Sequence, residues 1–249
     1  MSTNGTEGAK RRVNFKILRY KPGFIDPPRY DTFAIEVDER MTVLDALEHI
    51  KATQDSTLLY RHSCHHASCG TCAMKANGRE DLSCVINVFD LDSDNVVVDP
   101  LGSLPLIADL VVDMAAFAER FAPLGMTLVR ESEFAKDCEP PAGIEQYTRY
   151  EDCVECGACL SACPVANTTP FFIGPAGLAA AYRALTTGDR PAKQVFAHVD
   201  SSEGVWRCHG AMECSAACPS DVDPGGKIMA LRRELVKYKV KRIFGSGEE

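Results

Sequence analysis

Apolar and polar residues alternate with a period of two in two stretches near the beginning of the chain. Such alternation is typical of strands with one buried face, and the proline- and glycine-rich segment between the stretches favours a turn. We therefore expect two paired strands. The residues concerned are Val13, Phe15 and Ile17, then Phe33, Ile35 and Val37, with Pro22, Gly23, Pro27 and Pro28 between them.

A short helix and a hairpin are predicted next. Thr42, with Asp45 three residues later, resembles a capping box at the start of an amphipathic helix at 43–50. An Asn-Gly turn signal within 73–84 predicts a hairpin, and the apolar residues 96–98 predict a further strand. A small sheet with one packed helix makes this half of the chain α+β.

The pattern changes in the second half of the chain. Apolar residues at helical spacing in 104–121 predict a helix that leads out of the first domain. The segment 131–143, which contains two prolines and a glycine, is typical of a linker. Beyond it, 175–187 and 225–240 predict helices, and Pro224 suits the first position of the second one. Strand patterns are missing there, so we expect an all-α second domain.

Length and composition narrow the class of protein. The length of 249 residues favours two domains, and 45% hydrophobic with 25% charged residues is ordinary for a globular protein. No apolar run approaches the roughly eighteen residues that a membrane helix needs. The N-terminus has no apolar region of the kind that a signal peptide carries, so the bacterial cytoplasm is the expected compartment.

Charge is unevenly distributed along the chain. The net charge of −8 argues against a nucleic-acid partner, because phosphate binding requires a basic surface. The last predicted helix and the tail are locally basic, which suits contact with anionic lipid or a membrane subunit, or a solvated helix face. The basic residues are Arg232, Arg233, Lys237, Lys239, Lys241 and Arg242.

The twelve cysteines indicate metal or redox chemistry, because disulfides are rare in a reducing compartment. Four of them follow the spacing C-x4-C-x2-C-x11-C, and the first three match the plant-type spacing for a [2Fe–2S] cluster. A zinc site usually presents two C-x2-C pairs, and only one occurs here. Four cysteines already fill the ligand count that a Rieske centre meets with two histidines, so we interpret His62, His65 and His66 as loop surface. The predicted ligands are Cys64, Cys69, Cys72 and Cys84.

Two further cysteine runs are interlocked. The run C-x2-C-x2-C-x3-C-P begins at Cys153 and ends at Pro164, and a second copy from Cys208 to Pro219 has Ala211 in place of its second cysteine. In two-cluster ferredoxins the fourth cysteine of each run ligates the other cluster. This exchange gives Cys153, Cys156, Cys159 and Cys218 for a [4Fe–4S] cluster, and Cys163, Cys208 and Cys214 for a [3Fe–4S] cluster. Cys138 remains, and we interpret it as a free thiol.

The combination of these motifs resembles a known family over nearly the whole chain, the iron–sulfur subunits of succinate dehydrogenases and fumarate reductases. The order of the three cluster motifs carries the resemblance. The most specific stretches are RHSCHHASCGTCAMKANGREDLSC at 61–84, LPLIADLVVDM at 104–114, CVECGACLSACP at 153–164 and CHGAMECSAACPSDVDP at 208–224.

The resemblance implies a fold, partners and a location. The fold is α+β, with a β-grasp [2Fe–2S] ferredoxin-type domain at 10–122, a linker at 123–143 and an α-helical ferredoxin domain with [4Fe–4S] and [3Fe–4S] clusters at 144–245. The partners are a flavoprotein subunit that carries FAD and one or more membrane anchor subunits, which bind haem b in some complexes. The chain would lie peripherally on the cytoplasmic face of the bacterial cell membrane.

The resemblance also implies a function, the relay of electrons from FAD through the [2Fe–2S], [4Fe–4S] and [3Fe–4S] clusters to a membrane quinone. Succinate chemistry belongs to the flavoprotein, so no catalytic residue is expected here. The alternatives are fumarate reduction, in the reverse direction, and a freestanding multi-cluster electron carrier.

His209, next to Cys208, matches a family position near the quinone head group, and Pro164 belongs to the same vicinity. Many members that use ubiquinone carry a tryptophan shortly after the cysteine that matches Cys163. This chain has its sole tryptophan at Trp206 instead, so the sequence leaves the quinone type open.

Overall fold

The computed structural model describes residues 10–120, 152–188 and 190–244. The linker predicted at 123–143 lies outside the described residues, and so does Cys138. Those two interpretations therefore stay predictions.

The chain divides into two compact units. One comprises Met1–Asp113 together with Val154–Ala158, and the other comprises Met114–Cys153 together with Cys159–Glu249. The first unit contains a β-sheet and a packed helix, whereas the regular elements described in the second unit are helices. The α+β fold class predicted from the sequence is thereby confirmed.

A five-stranded mixed sheet forms the first unit. Its strands are β1 (Lys10–Lys21), β2 (Ile25–Asp38), β3 (Ala73–Ala76), β4 (Arg79–Leu82) and β5 (Asn95–Asp99). Their order across the sheet is β2-β1-β5-β3-β4, with β1 antiparallel to β2 and parallel to β5. The predicted pairing of the two alternating stretches is confirmed, because Val13 pairs with Ile35 and Phe15 with Phe33.

Strand β2 begins earlier than the sequence predicted. The sequence pattern places Pro27 and Pro28 in the turn, but both lie inside β2, and only residues 22–24 separate it from β1. β2 is an edge strand of the sheet. Proline is tolerated there because the N–H that it lacks is not needed for a second neighbouring strand.

The helix α1 (Val43–Thr53) covers the sheet, and its capping box is present as predicted. The Thr42 hydroxyl accepts a hydrogen bond from the Asp45 N–H, and the Asp45 carboxylate accepts one from the Thr42 N–H. The apolar face of α1 is fully buried in the core of the unit. That core includes Val13, Phe15, Ile17, Val43, Leu47, Ile50, Leu58, Met74, Val96 and Val98.

The helix predicted over 104–121 is wrong. The segment forms two short antiparallel strands, β6 (Leu106–Ala108) and β7 (Val111–Val112), and within its described part, up to residue 120, only Ala115–Ala118 is helical, as α2. The cause is Asp109, a buried residue between the strands with a left-handed backbone (φ 45°). Its carboxylate binds groups elsewhere in the first unit, and these long-range contacts override the local helical spacing.

Among its described residues the second unit contains six α-helices, the first of which is the short α2. The others are α3 (Ala158–Ser161), whose first residue belongs to the first unit, α4 (Pro175–Thr187), α5 (Ala192–Val199), α6 (Glu213–Ala216) and α7 (Pro224–Phe244). The predicted helices at 175–187 and 225–240 are confirmed as α4 and α7, whereas α5 was not predicted. Within the described parts of the chain, none of the helices has both the length and the hydropathy needed to cross a bilayer.

Candidate iron–sulfur cluster sites

The β3–β4 hairpin brings two of the predicted [2Fe–2S] ligands together. Cys72 directly precedes β3, Cys84 follows β4, and the Ser83 N–H donates to the Cys72 carbonyl at 3.1 Å. Both thiols are buried. Cys64 and Cys69 lie in the loop between α1 and β3 and are half-buried. One hairpin and one loop thus supply all four predicted ligands.

The loop directs hydrogen-bond donors at its sulfurs. The backbone N–H groups of His66 and Ser68 lie 3.5 and 3.4 Å from the Sγ of Cys64. The N–H of His66 is the largest influence, and together these contacts lower the pKa of the Cys64 thiol to about 7. The Thr71 hydroxyl lies 3.0 Å from the Sγ of Cys69 and lowers the pKa of that thiol. Hydrogen bonds to sulfur favour the thiolate, which is the form that binds iron.

The buried pair of cysteines behaves differently. The pKa of Cys84 is raised to about 11, mainly by burial. The Ala67 N–H lowers it, and the nearby sulfurs of Cys72 and Cys64 add smaller increases. The thiols are therefore close enough to repel one another once they ionise. A cationic metal group among them would remove both the repulsion and the cost of burial. The four residues fit a [2Fe–2S] cluster on this test.

Gly70 keeps the loop compact. A Cβ on this residue would lie 2.4 Å from the carbonyl oxygen of Val154 and 3.1 Å from the Cβ of Cys156, within the first unit. Its backbone is also left-handed (φ 71°), a conformation that suits glycine. The close approach therefore requires glycine at this position.

A cavity in the second unit collects the three cysteines predicted to hold the [3Fe–4S] cluster. Cys163, Cys208 and Cys214 line a space of about 360 Å³ that is partly open to solvent, and Ala211 lines the same space. Burial raises the pKa of Cys214 to about 11, and the sulfurs of Cys163 and Cys208 add to the shift. Three thiols that face one another across a cavity fit a bound cationic cluster, by the same reasoning as in the first unit.

The N-terminus of α7 closes against this cavity at Gly225. A Cβ there would lie 2.5 Å from the Sδ of Met212 and 2.9 Å from the Oγ of Ser215. The Gly225 N–H donates to the Ser215 hydroxyl at 2.9 Å, and that hydroxyl donates to the Asp223 carboxylate at 2.7 Å. These contacts hold the α6 segment, which contains Cys214, against α7.

The four cysteines predicted to hold the [4Fe–4S] cluster belong to both units. Cys156 falls within Val154–Ala158 of the first unit, and Cys153, Cys159 and Cys218 fall within the second. Cys156 and Cys159 are buried. The Val222 N–H lies 3.3 Å from the Sγ of Cys218, a contact of the kind that surrounds Cys64. Their grouping around one cluster stays a prediction.

His209 and Pro164, predicted to lie near a quinone, both line the cavity of Cys163, Cys208 and Cys214. The side chain of His209 is exposed. The structure therefore brings both residues to the site of the predicted [3Fe–4S] cluster, and their role near a quinone stays a prediction.

Two of the basic residues of the C-terminal helix have structural contacts that the sequence did not indicate. The Arg232 guanidinium donates to the carbonyls of Val205 and Cys208, so it positions the loop that carries a predicted ligand. Lys239 pairs with Asp200, whose carboxylate also accepts from the Trp206 indole N–H at 2.7 Å. Both residues face their own unit, so the basic surface available to a partner is smaller than the sequence suggests.

Comparisons with known proteins agree with the two kinds of site. Residues 14–119 match the family of the 2Fe-2S iron-sulfur cluster binding domain, and residues 149–222 match the 4Fe-4S dicluster domain. The fumarate reductase iron-sulfur subunit of Haemophilus influenzae is 32% identical over 94% of this chain and 98% of its own. The succinate dehydrogenase iron-sulfur subunit of Paracoccus denitrificans is 32% identical over 92% of this chain and 90% of its own.

A solved structure of the Mycobacterium smegmatis Sdh1 complex in the apo form contains a chain with the same fold. The TM-score is 0.76 at 22% sequence identity, and the match covers 93% of this chain and 98% of that one. The fold is therefore shared with a known protein over nearly its full length.

Proposed function

This chain belongs to the family of iron–sulfur subunits of succinate dehydrogenases and fumarate reductases, and we propose that it carries electrons between a flavoprotein and a membrane quinone in a succinate:quinone oxidoreductase. The complex would consist of this chain, a flavoprotein subunit with FAD and a membrane anchor that binds the quinone, with haem b on the anchor as an option. We propose succinate oxidation, the direction of the tricarboxylic acid cycle, as its physiological reaction.

The reverse direction is the second candidate. Relatives from Haemophilus influenzae and Mycobacterium tuberculosis carry the name fumarate reductase at the same 32% identity as the succinate dehydrogenase subunit from Paracoccus denitrificans. The direction depends on the quinone potential and on partner subunits, and comparing succinate oxidation with fumarate reduction by the purified complex decides between the two.

We propose that eleven cysteines hold three clusters, each of which accepts and passes on single electrons when bound. The proposed ligands are Cys64, Cys69, Cys72 and Cys84 for [2Fe–2S], Cys153, Cys156, Cys159 and Cys218 for [4Fe–4S], and Cys163, Cys208 and Cys214 for [3Fe–4S]. The observation that carries this proposal is the cavity that three cysteines share with Ala211. An alanine where the repeat expects a cysteine leaves three thiols for one cluster.

The location proposed for the chain is the cytoplasmic face of the bacterial membrane. Support comes from the last turns of α7, where Ile243 and Phe244 are 72% and 82% exposed beside the basic residues Lys241 and Arg242. Exposed apolar side chains next to cations suit contact with a membrane anchor or anionic lipid headgroups.

His209 is proposed to donate a hydrogen bond or a proton to the quinone, with Pro164 beside it, because both line the cavity of the proposed [3Fe–4S] site. In the purified complex, His209→Ala should slow succinate-to-quinone electron transfer and spare succinate oxidation measured with an artificial acceptor that takes electrons upstream. The control is His49→Ala, an exposed histidine of the first unit. Equal losses in both assays would contradict the quinone role of His209.

Isolation tests the proposal as a whole. Purification from membranes should yield this chain together with a flavoprotein and an anchor subunit. Recovery of a stable monomer that holds its clusters, with no flavoprotein bound, would support the freestanding carrier instead.

A further inference from the structure

Three potential metal ligands meet in the first unit apart from the cysteines. Glu48 lies on α1, and His62 and His65 lie in the cysteine loop. One carboxylate oxygen of Glu48 lies 3.4 Å from the Nδ1 of His62 and 3.4 Å from the Nε2 of His65. The two ring nitrogens are 3.1 Å apart. The three atoms thus form a nearly equilateral triangle.

Hydrogen bonds alone do not satisfy this triangle. Each imidazole nitrogen carries at most one hydrogen, which can be directed at one acceptor. If both nitrogens donate to Glu48, two N–H donors lie side by side at 3.1 Å. If His62 donates to His65, the lone pair of His65 is occupied and its contact with Glu48 has no proton. With Glu48 ionised, one of the three contacts therefore pairs two donors or two acceptors in each arrangement of the imidazole protons.

A divalent cation removes the repulsion. Zinc binds histidine nitrogen at about 2.0–2.1 Å and carboxylate oxygen at about 2.0–2.2 Å, and tetrahedral angles then place neighbouring ligand atoms about 3.3–3.5 Å apart. The observed separations of 3.1–3.4 Å are close to these expected distances between ligand atoms. Two histidines and a glutamate, with water in the fourth position, are also a known ligand set for zinc.

We propose that Glu48, His62 and His65 bind a zinc-type divalent ion, with a fourth coordination position open to solvent. The side chains of His65 and Glu48 are 41% and 37% exposed, so an ion can reach them. The backbone of His65 is left-handed (φ 62°), and its ring meets that of His62 edge to face at 5.2 Å. The local fold therefore holds the two imidazoles together without the ion.

No nearby cation replaces the metal in the contacts of the described residues. Lys51, one helical turn after Glu48, donates to the Leu58 carbonyl at 2.7 Å and lies over the ring of Tyr60.

Zinc binding to the full chain with its clusters intact tests the proposal. Equilibrium dialysis against zinc chloride should show a site in the wild type that is weakened at least about ten-fold in Glu48→Gln and in His62→Ala. Loss of an indirect partner alone typically costs about 10–100-fold in affinity, and these variants lose a direct ligand. His49→Ala is the control, because this exposed histidine adjoins Glu48 but is outside the triangle.

Iron content and visible absorbance are measured on each variant, so that the loss of a cluster is not mistaken for the loss of zinc binding. Glu48→Gln is informative even if a loop variant loses its cluster, because Glu48 lies on α1. Equal zinc affinity in the wild type, Glu48→Gln and His62→Ala would overturn the proposal. So would the absence of a zinc site in wild-type protein that retains full iron.

A paramagnetic ion locates the site. His65 directly follows Cys64, so cobalt bound at the triangle would lie beside the proposed [2Fe–2S] cluster. Cobalt should speed the spin relaxation of the reduced binuclear signal in the wild type and in His49→Ala, and not in His62→Ala. Cobalt that binds without this effect would place the ion elsewhere and overturn the assignment. The cobalt experiment rests on the proposed function, because it needs the [2Fe–2S] cluster, whereas the zinc measurement does not. A failure of the zinc site and a failure of the proposed function are therefore distinguishable.

Discussion

Replacing Asp109 by alanine should destabilise the first unit more than any exposed substitution. Asp109 is fully buried, and its carboxylate lies 3.2 Å from the Nε of Arg19, which is 1% exposed. The same carboxylate accepts hydrogen bonds from the N–H groups of Tyr20 and Leu59, each at 2.9 Å. Leu59 precedes the cysteine loop, so Asp109 fixes the point at which the chain enters the predicted [2Fe–2S] site.

The expected loss follows from these contacts. Removing one partner of a buried ion pair typically costs about 3–5 kcal/mol, because the other charge stays buried. Arg19 keeps its contacts with Asp55 and Asp31, which favours the lower end, about 3 kcal/mol. For a domain of about 100 residues, 1 kcal/mol corresponds to roughly 4–8 °C in Tm, so the thermal transition should fall by at least about 10 °C.

The assay is the thermal loss of visible cluster absorbance and of circular dichroism, recorded at one heating rate because unfolding with cluster loss is irreversible. Asp94→Ala is the matched control, since Asp94 is 70% exposed and pairs with Arg11 at 3.6 Å. A surface pair of this kind contributes about 0–1 kcal/mol. Equal transition temperatures in the two variants would refute the role assigned to Asp109.

Three further predictions concern a glycine, a tyrosine and an alanine. Gly70→Ala should lose the reduced [2Fe–2S] signal in electron paramagnetic resonance, because its Cβ would meet the Val154 carbonyl, whereas Gly78→Ala (φ 80°, nothing within 4 Å) should keep it. The Tyr30 hydroxyl donates to Asp99, and this bond, with burial, raises the pKa of Tyr30 to about 12. This hydrogen bond stabilises the folded state below about pH 10, and its contribution is lost as pH rises through 12. Because Asp99→Asn removes the charge that raises the pKa, at about pH 11 this variant should show more ionised tyrosine by ultraviolet absorbance than the wild type. Ala211→Cys should convert the proposed three-iron cluster to a four-iron one, so the oxidised three-iron signal shrinks and a reduced four-iron signal appears. The control Ala216→Cys, whose residue does not line the cavity, should change neither signal. A full three-iron signal in Ala211→Cys would contradict the ligand assignment.

Features set by neighbouring residues could be predicted from the sequence. The capping box of Thr42 and Asp45 involves side chains three residues apart, so sequence spacing alone placed the start of α1. The Asn-Gly turn signal between Cys72 and Cys84 likewise predicts the hairpin that brings them together, because the turn is local.

Features that depend on distant contacts could not be predicted. The apolar spacing of 104–121 favours a helix, and only the contacts of Asp109 with Arg19, Tyr20 and Leu59 produce a hairpin instead. In the sequence, nothing distinguishes Arg232 from the other basic residues of this helix. Only the fold places two carbonyl groups beside its guanidinium. The spacing of residues in the sequence does not reveal a hydrogen-bond partner that lies 24 or 27 residues away in the chain.

Iron content per chain is the sharpest test of three clusters on eleven cysteines. In protein whose paramagnetic signals show full loading, we expect about nine iron atoms, from one two-iron, one four-iron and one three-iron cluster. A total near ten in such protein, as two four-iron clusters and one two-iron cluster would give, would contradict the assignment of Cys163, Cys208 and Cys214.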